Sequence, residues 1–406
     1  MLTILVGGVL FSAVSSGLFY WLATRTSSTE QFLQWYWSVP LAPQGSVPED
    51  FSPLEASLSP KACGTCHKEQ FTDWRQSLHA EAMSVGIWWQ LPILGQQAGN
   101  RCLRCHAPLA EQKALTAAAL EWDNKPSTPA PNHISSDLHR QGLVCAVCHI
   151  RSHQRFGPPA ESQPSAADAT AHNGFKAHAA FEDSRFCAVC HQFPADGPRV
   201  NGKLRENTYQ QWRASPAAAA GEHCQSCHMP GRRHLWRGIH DSAMVRRGLA
   251  VSTEIKARDT GAAVLIVTLE NVGAGHHLPT YLVPKLVVRV IGATQNTQNA
   301  PGTVIDQATV GWFVETDLRS ERFDTRIPAG HTHRLRFPLN PELLSEHRHL
   351  TVQLEVKPRE HYERMYQEVL ADPNLTAAQR LQVRQALQEA QAMHYVLLNR
   401  KVFIED

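Results

Sequence analysis

Five short stretches of this chain combine residue types that ordinary packing does not call for. They are Cys63/Cys66/His67, Cys102/Cys105/His106, Cys145/Cys148/His149, Cys187/Cys190/His191 and Cys224/Cys227/His228, each a Cys-x-x-Cys-His unit. This pattern is the attachment site of a c-type haem. Two thiols add across the porphyrin vinyl groups, and the adjacent histidine is held under the iron as proximal ligand. Covalent attachment fixes a large cofactor to a piece of chain too short to wrap it. All ten cysteines fall in these five pairs. Structural zinc takes four N/S ligands from two such pairs, so five pairs would leave an odd half-site. A redox Cys-x-x-Cys has no need of histidine at the next position. The implied cofactors are five covalent haem c groups and their irons.

A haem iron that only carries electrons normally has a second axial ligand, and that ligand sets its potential. The chain holds 22 histidines, so seventeen remain after the five proximal ones, against six methionines. Met229 adjoins His228 and cannot easily reach the far face of that haem, while Met83 and Met244 stay possible. Bis-histidine coordination is therefore expected, with His79, His178, His234 and His240 as leading distal ligands. His234 and His240 lie six residues apart and point to different sides of a helix, so they should serve different haems. His133, His139, His153 and His172 are reserves, and His223 sits too close to its own motif. A degenerate repeat singles out His79: residues 73–80 (DWRQSLHA) recur as 211–218 (QWRASPAA), with Ala217 in its place. Asn271 to Thr280 (NVGAGHHLPT) offers another source. Its glycines and proline allow either a hairpin with exposed histidines or a tight loop that pushes His276 or His277 into the haem region. His277 is counted with the expected ligands.

The elements that must position these residues show in the texture of the chain. At 406 residues there is room for two or three domains. The net charge of +2 provides no basic field for nucleic acid. Residues 1–25 contain an uncharged apolar run, Leu2 to Ala23, long enough for a transmembrane helix, with an uncleaved anchor favoured over a cleaved signal. Residues 26–60 read as a Pro- and Ser-rich linker, with Trp35, Tyr36 and Trp37 suited to a membrane interface. Residues 61–247 carry the motifs about forty apart, too few for each haem to own an apolar core. An α-helical, loop-rich domain with little sheet is expected, including helices Lys68–Met83 and Glu111–Trp122. Residues 248–358 hold about seven β-branched runs and suggest a β-sandwich. Residues 359–406 suggest a helical extension, with Thr376 as an N-cap and Tyr395–Ile404 as a strand or a continued helix. In bacteria, covalent haem attachment occurs outside the cytoplasmic membrane. The expected location is thus the periplasmic side of the inner membrane, anchored by the N-terminal helix.

Cys63-x-x-Cys-His followed by Trp74, Ser77 and His79-Ala80 resembles the cytochrome c-554 family of multihaem cytochromes. So do Cys102-x-x-Cys-His-Ala107-Pro108, Gly142-Leu143-Val144-Cys145, and Cys224-x-x-Cys-His-Met229-Pro230 with His234 and His240 behind it. The resemblance covers about residues 61–247 and implies stacked haem pairs, mostly bis-histidine, with His79 as a distal ligand. It also implies that one iron can be five-coordinate. The chain departs from the family in having a fifth motif and a β-rich extension. Gly275 to Thr280 is similar to a Gly-His-x-x-Pro-Thr-Gly signature of larger multihaem proteins, with Tyr281 replacing the last glycine. The expected role is electron transfer along a haem chain between redox partner proteins, or from a quinol-linked membrane donor. Two rivals stand beside it. One is an oxidoreductase acting on a small nitrogen or sulfur compound at a five-coordinate haem. The other is a subunit whose β-rich part is a docking module.

Overall fold

The computed structural model describes residues 27–160, 171–257, 262–294 and 302–403. In the motif-bearing part, short helices carry the thiols and small sheets brace them. Strands β1 (Ile150–Arg151), β2 (Gln154–Gly157) and β3 (Phe175–Ala177) form one sheet, and β4 (Arg199–Val200) pairs with β5 (Lys203–Leu204). Beyond residue 248 the β-branched runs become β6 (Leu249–Ala257), β7 (Ala263–Asn271), β8 (Lys285–Thr294), β9 (Thr303–Val310), β10 (Trp312–Val314), β11 (Glu321–Asp324), β12 (Thr332–Leu339), β13 (His347–Lys357) and β14 (Tyr395–Phe403). They assemble as sheets of order β12-β7-β6 and β14-β13-β8-β9, plus the pair β10-β11. The central strand β7 (AVLIVTLEN) is buried along most of its length, whereas the edge strand β6 alternates buried and exposed residues. Leu265, Val267, Leu286, Val288, Leu350 and Val352 join one apolar cluster drawn from both larger sheets.

Several expectations are corrected. The plan of a helical haem domain followed by a β-sandwich gives way to a mixed α/β architecture of several small sheets. The motif-bearing part contains strands that short β-prone stretches form around the motifs. The extension ends in strand β14, which pairs with β13 from Tyr395 to Phe403 and does not continue the preceding helix. Among the described residues no helix is long and apolar enough to cross a membrane. The longest, Leu91–His106 and Ala377–Ala392, have 16 residues each. At about 1.5 Å per residue they fall short of a hydrocarbon core of about 30 Å. The run Leu2 to Ala23 lies outside the described residues. The expected anchored location therefore has no spanning helix behind it and is set aside.

Residues 27–60 are also not a free spacer. Tyr36, from the helix Ser28–Tyr36, is fully buried, donates from its hydroxyl to Cys148 O at 2.8 Å and stacks under Arg151 at 4.0 Å. Leu41 and Leu58 join the core that surrounds the third motif. Thr376 does cap the helix Ala377–Ala392, its Oγ1 accepting from Gln379 N–H at 3.2 Å.

Polar contacts fasten the extension to the motif-bearing part. Lys203 in β5 reaches Glu321 (2.9 Å) and Asp324 (2.8 Å) in β11, and Tyr395 Oη donates to Ile239 O at 2.9 Å. Burial pushes the Asp324 carboxyl up, but the hydrogen bonds from Arg326 and Lys203 outweigh it and hold the group at about 2. Its pKa is lower folded than unfolded. The stabilisation is therefore present above the ordinary value near 3.8 and lost as pH falls through about 2. Asp324→Asn is expected to lower stability by about 1–2 kcal/mol after discounting for solvent screening. Denaturant unfolding from pH 7 down to pH 2 checks this. The difference from the parent should be full at neutral pH and vanish at the acid end, and equal stability at pH 7 would refute it.

Candidate metal centres

A Cys-x-x-Cys-His unit in one helical turn places residues i, i+3 and i+4 on a single face, so two thiols and an imidazole converge. Cys145–His149 and Cys224–His228 are such single-turn helices, and Cys187 to His191 ends the helix Arg185–His191. Cys102 to His106 closes the helix Leu91–His106. In the first motif the turn is broken, with His67 preceding the helix Lys68–Arg75. All ten cysteines are free thiols, and Cys66 is exposed.

The donor set fits an iron porphyrin. A carbonyl can only accept, so an imidazole nitrogen facing one carries the proton and leaves the other nitrogen free for a metal. His106 Nδ1 donates to Ala82 O (2.6 Å), His149 Nδ1 to Phe156 O (2.8 Å) and His228 Nδ1 to Arg237 O (2.6 Å). The β1–β2 hairpin exists at the spot that brings Phe156 O back to His149. Burial also lowers the pKa of His106, and of His149 to about 4, so these rings are neutral at pH 7, as ligation requires.

Three motif imidazoles each face a second imidazole. The ring centres are 6.3 Å apart for His191 and His79, 6.0 Å for His149 and His234, and 6.2 Å for His228 and His276. A metal–imidazole bond of about 2 Å on each side, plus the radius of each ring, sums to about 6 Å. His133 and His153 are also 6.1 Å apart, but neither follows a cysteine pair. His79 is held neutral by burial, reinforced by His191, with a pKa near 3, and burial takes His276 to about 4.

The second imidazoles are fixed by contacts from far along the chain. Asp73 accepts both Arg233 guanidinium N–H groups at 2.6 Å and the His234 backbone N–H at 3.0 Å. Trp236 packs edge-on against both His79 (4.7 Å) and His234 (5.0 Å). Trp74 Nε1 donates to Leu143 O (2.7 Å), and Leu143 N–H donates to His79 O (2.9 Å). Gly142 has φ +66°, and a Cβ there would lie 2.3 Å from His79 O, so glycine is needed for both conformation and space.

The internal repeat is structural as well as textual. Trp212 Nε1 donates to Glu222 O (2.9 Å) two residues before Cys224, as Trp74 does two residues before Cys145. Glu222 N–H donates to Ala217 O (3.0 Å), the counterpart of the His79 contact. Where the second copy lacks histidine, Gly275 packs against it: a Cβ at Gly275 would sit 3.0 Å from Ala217 and 3.4 Å from Trp212. Gln211, aligned with Asp73, accepts the His277 backbone N–H at 3.1 Å. The array of motifs ends at this copy, and the β7–β8 loop docks there and delivers His276.

Other expected ligands stand elsewhere. His277 points toward Arg326 and Asp324 and not toward a motif imidazole, because Gln211 holds its backbone while His276 Nδ1 donates to His277 O (2.8 Å). His178 stacks on Phe32 at 3.7 Å, and its Nδ1 accepts from Ala180 N–H (3.1 Å), which leaves the proton on Nε2. His240 lies by Asp241, Glu81 and Arg359 and has no motif ring in contact. No imidazole faces His106 at pairing distance among the described residues, which include all 22 histidines. His67 has none at that distance either, and His172 is electrostatically close to it. Sequence reasoning missed Asp73, Gly142 and Trp236. The offset between the two repeat copies, extended to their cysteine motifs, is the signal that locates the first two.

The thiols also report which motifs are neighbours. Cys63 lies against Cys145, Cys105 against Cys190 and Cys187 against Cys224, with Cys148 near both Cys187 and Cys190. The spatial order is first, third, fourth, with the second and fifth both meeting the fourth.

No family model matches the chain, and no curated protein matches its sequence. Among solved structures, a penta-heme cytochrome c552 from Thermochromatium tepidum has TM-score 0.56 at 18% identity, covering 87% of this chain and 100% of that one. A β-glucosidase from Streptomyces venezuelae (TM-score 0.16, 15% identity, 26% of this chain and 13% of that one) carries no argument at that level. The same holds for one from Bifidobacterium adolescentis (0.17, 10%, 38% and 17%). The resemblance to the cytochrome c-554 family is not confirmed by these comparisons. What they show is that this chain has the fold of a multihaem cytochrome.

Proposed function

We propose that the chain is a pentahaem c-type cytochrome that relays electrons between redox partner proteins, a quinol-linked donor among the candidates. The observation that carries this reading is the set of three imidazole pairs at 6.0–6.3 Å, each joining a motif histidine to one from elsewhere in the chain. Haem c supplies reversible one-electron chemistry at each motif. The protein's part is to set axial ligands, spacing and a low-dielectric surround, which tune potentials. Two imidazoles per iron favour a carrier. We assign His79 to the fourth motif, His234 to the third, His276 to the fifth and His172 to the first. Thiol adjacency gives a route from the first motif through the third to the fourth, then to the second or the fifth. The first motif is the exposed end: Cys66 and His67 are open to solvent, beside a cleft of about 710 Å³ lined by Lys61, Ala62 and Thr65.

A second reading is favoured by one observation. His106 has no facing imidazole, so a haem at the second motif would have an open side where a small nitrogen or sulfur compound could react. Low-temperature EPR of the oxidised holoprotein, with haem quantified against protein, tests both readings. Five haems per chain are expected, four low-spin and one high-spin. His276→Ala should add a second high-spin iron, and His277→Ala should leave the spectrum unchanged. Five low-spin irons would exclude the open side. An unaltered spectrum in His276→Ala would refute the ligand assignment.

A further inference from the structure

The surroundings of the second motif differ from those of the others. Tyr281 and Tyr362 interact electrostatically with each other, and both interact with Glu206 and Arg359. Tyr362 also interacts with Cys102, and Cys105 with Glu206, so the group borders the second thiol pair. Its members come from three separate stretches that short bonds tie together. Thr280 Oγ1 lies 2.7 Å from Thr208 Oγ1, and Thr208 N–H donates to Glu206 Oε1 at 3.2 Å. His361 N–H donates to Val283 O (3.1 Å), and buried Lys285 Nζ donates to Leu282 O (2.7 Å) and reaches Glu360 (3.3 Å). These bonds clamp the first turn of the helix Glu360–Leu370 beside the Tyr281 loop.

The side of the second motif can be read from its neighbours. Residues 79–82 serve two centres: His79 faces His191, and Ala82 O holds His106. The opposite side of both centres is bounded by the chain after His191, where Phe193 N–H donates to Glu206 O (2.9 Å). Glu206, and with it Tyr281, therefore lies across from the Ala82 contact, where no imidazole stands.

Neither tyrosine hydroxyl has a hydrogen-bond partner among the described residues, whereas Tyr36 and Tyr395 donate to carbonyls. Tyr362 keeps 38% of its surface open although protein surrounds it, so it faces internal space. An enclosed donor without an acceptor is costly, and a bound acceptor removes that cost. Burial holds both phenols protonated, so they remain donors. Arg359 adds a permanent positive charge and pairs with Glu81 at 3.1 Å.

Resting on the reading that a haem at the second motif lacks a second imidazole, we propose that this cluster binds a small anion of two or three heavy atoms at that open side. Tyr281 and Tyr362 supply the hydrogen bonds and Arg359 the charge. The C-terminal extension thus builds the pocket wall as well as delivering His276.

Azide titration of the oxidised, full-length holoprotein, followed by absorption and EPR, tests this. Wild type should bind azide at the one high-spin iron. Tyr281→Phe and Tyr362→Phe should each weaken binding about tenfold or more. Arg359→Gln should weaken azide binding and leave carbon monoxide binding to the reduced protein unchanged. Unaltered low-spin signals in each variant report an intact fold. Azide affinity equal to wild type in all three variants would overturn the pocket while leaving the open side in place. A wild type with no high-spin iron, binding neither azide nor carbon monoxide, would instead remove the reading on which the pocket rests.

Discussion

Two neutral imidazoles must be held about 6 Å apart, face to face across an iron, by chain too sparse to wrap the cofactor. Most of the structure follows from that constraint. Each motif supplies one imidazole locally, through the i, i+3, i+4 geometry of a helical turn. The other comes from a distant stretch, so every pair becomes a long-range clasp. His79 reaches the fourth motif, His234 turns back to the third, and His276 crosses from the β7–β8 loop to the fifth. The polar network around Asp73, Arg233 and Trp236 aims these rings rather than filling a core.

The same constraint explains why the C-terminal extension is integral. A separable docking module would touch the motif-bearing part through a modest polar interface. Here Gly275 packs on Trp212 where the second repeat copy lacks a histidine, and Gln211 secures the loop. Lys203 is bound by Glu321 and Asp324, and the helix Glu360–Leu370 sets Tyr366 against Trp89. Removing the extension would remove an axial ligand candidate, which a docking role alone would not require.

The legible features were those whose signal is local. Ten thiols and five proximal histidines could be read from spacing, and most strands of the extension from their β-branched runs, because neither depends on distant contacts. His79 was legible from the repeat and His234 from its place behind the fifth motif. The choice of His276 over His277 was not, since a one-residue shift turns the ring to the other side of the loop, and Asn271 Nδ2 on His276 O (2.8 Å) fixes that register only in the fold. His178 had the right type and neighbourhood, but Phe32, from a stretch read as linker, claims its ring face. The small sheets escaped notice because two- and three-residue strands carry no periodicity. Tyr281, Arg359 and Tyr362 are too far apart in sequence for any window to group them.

The central claim is that the paired imidazoles bracket iron. Anomalous diffraction from crystals of the mature holoprotein, collected on both sides of the iron absorption edge, addresses it directly. Five iron peaks are expected, three of them midway between His79 and His191, His149 and His234, and His228 and His276. Peaks displaced from those midpoints, or fewer than five at full occupancy, would contradict the account.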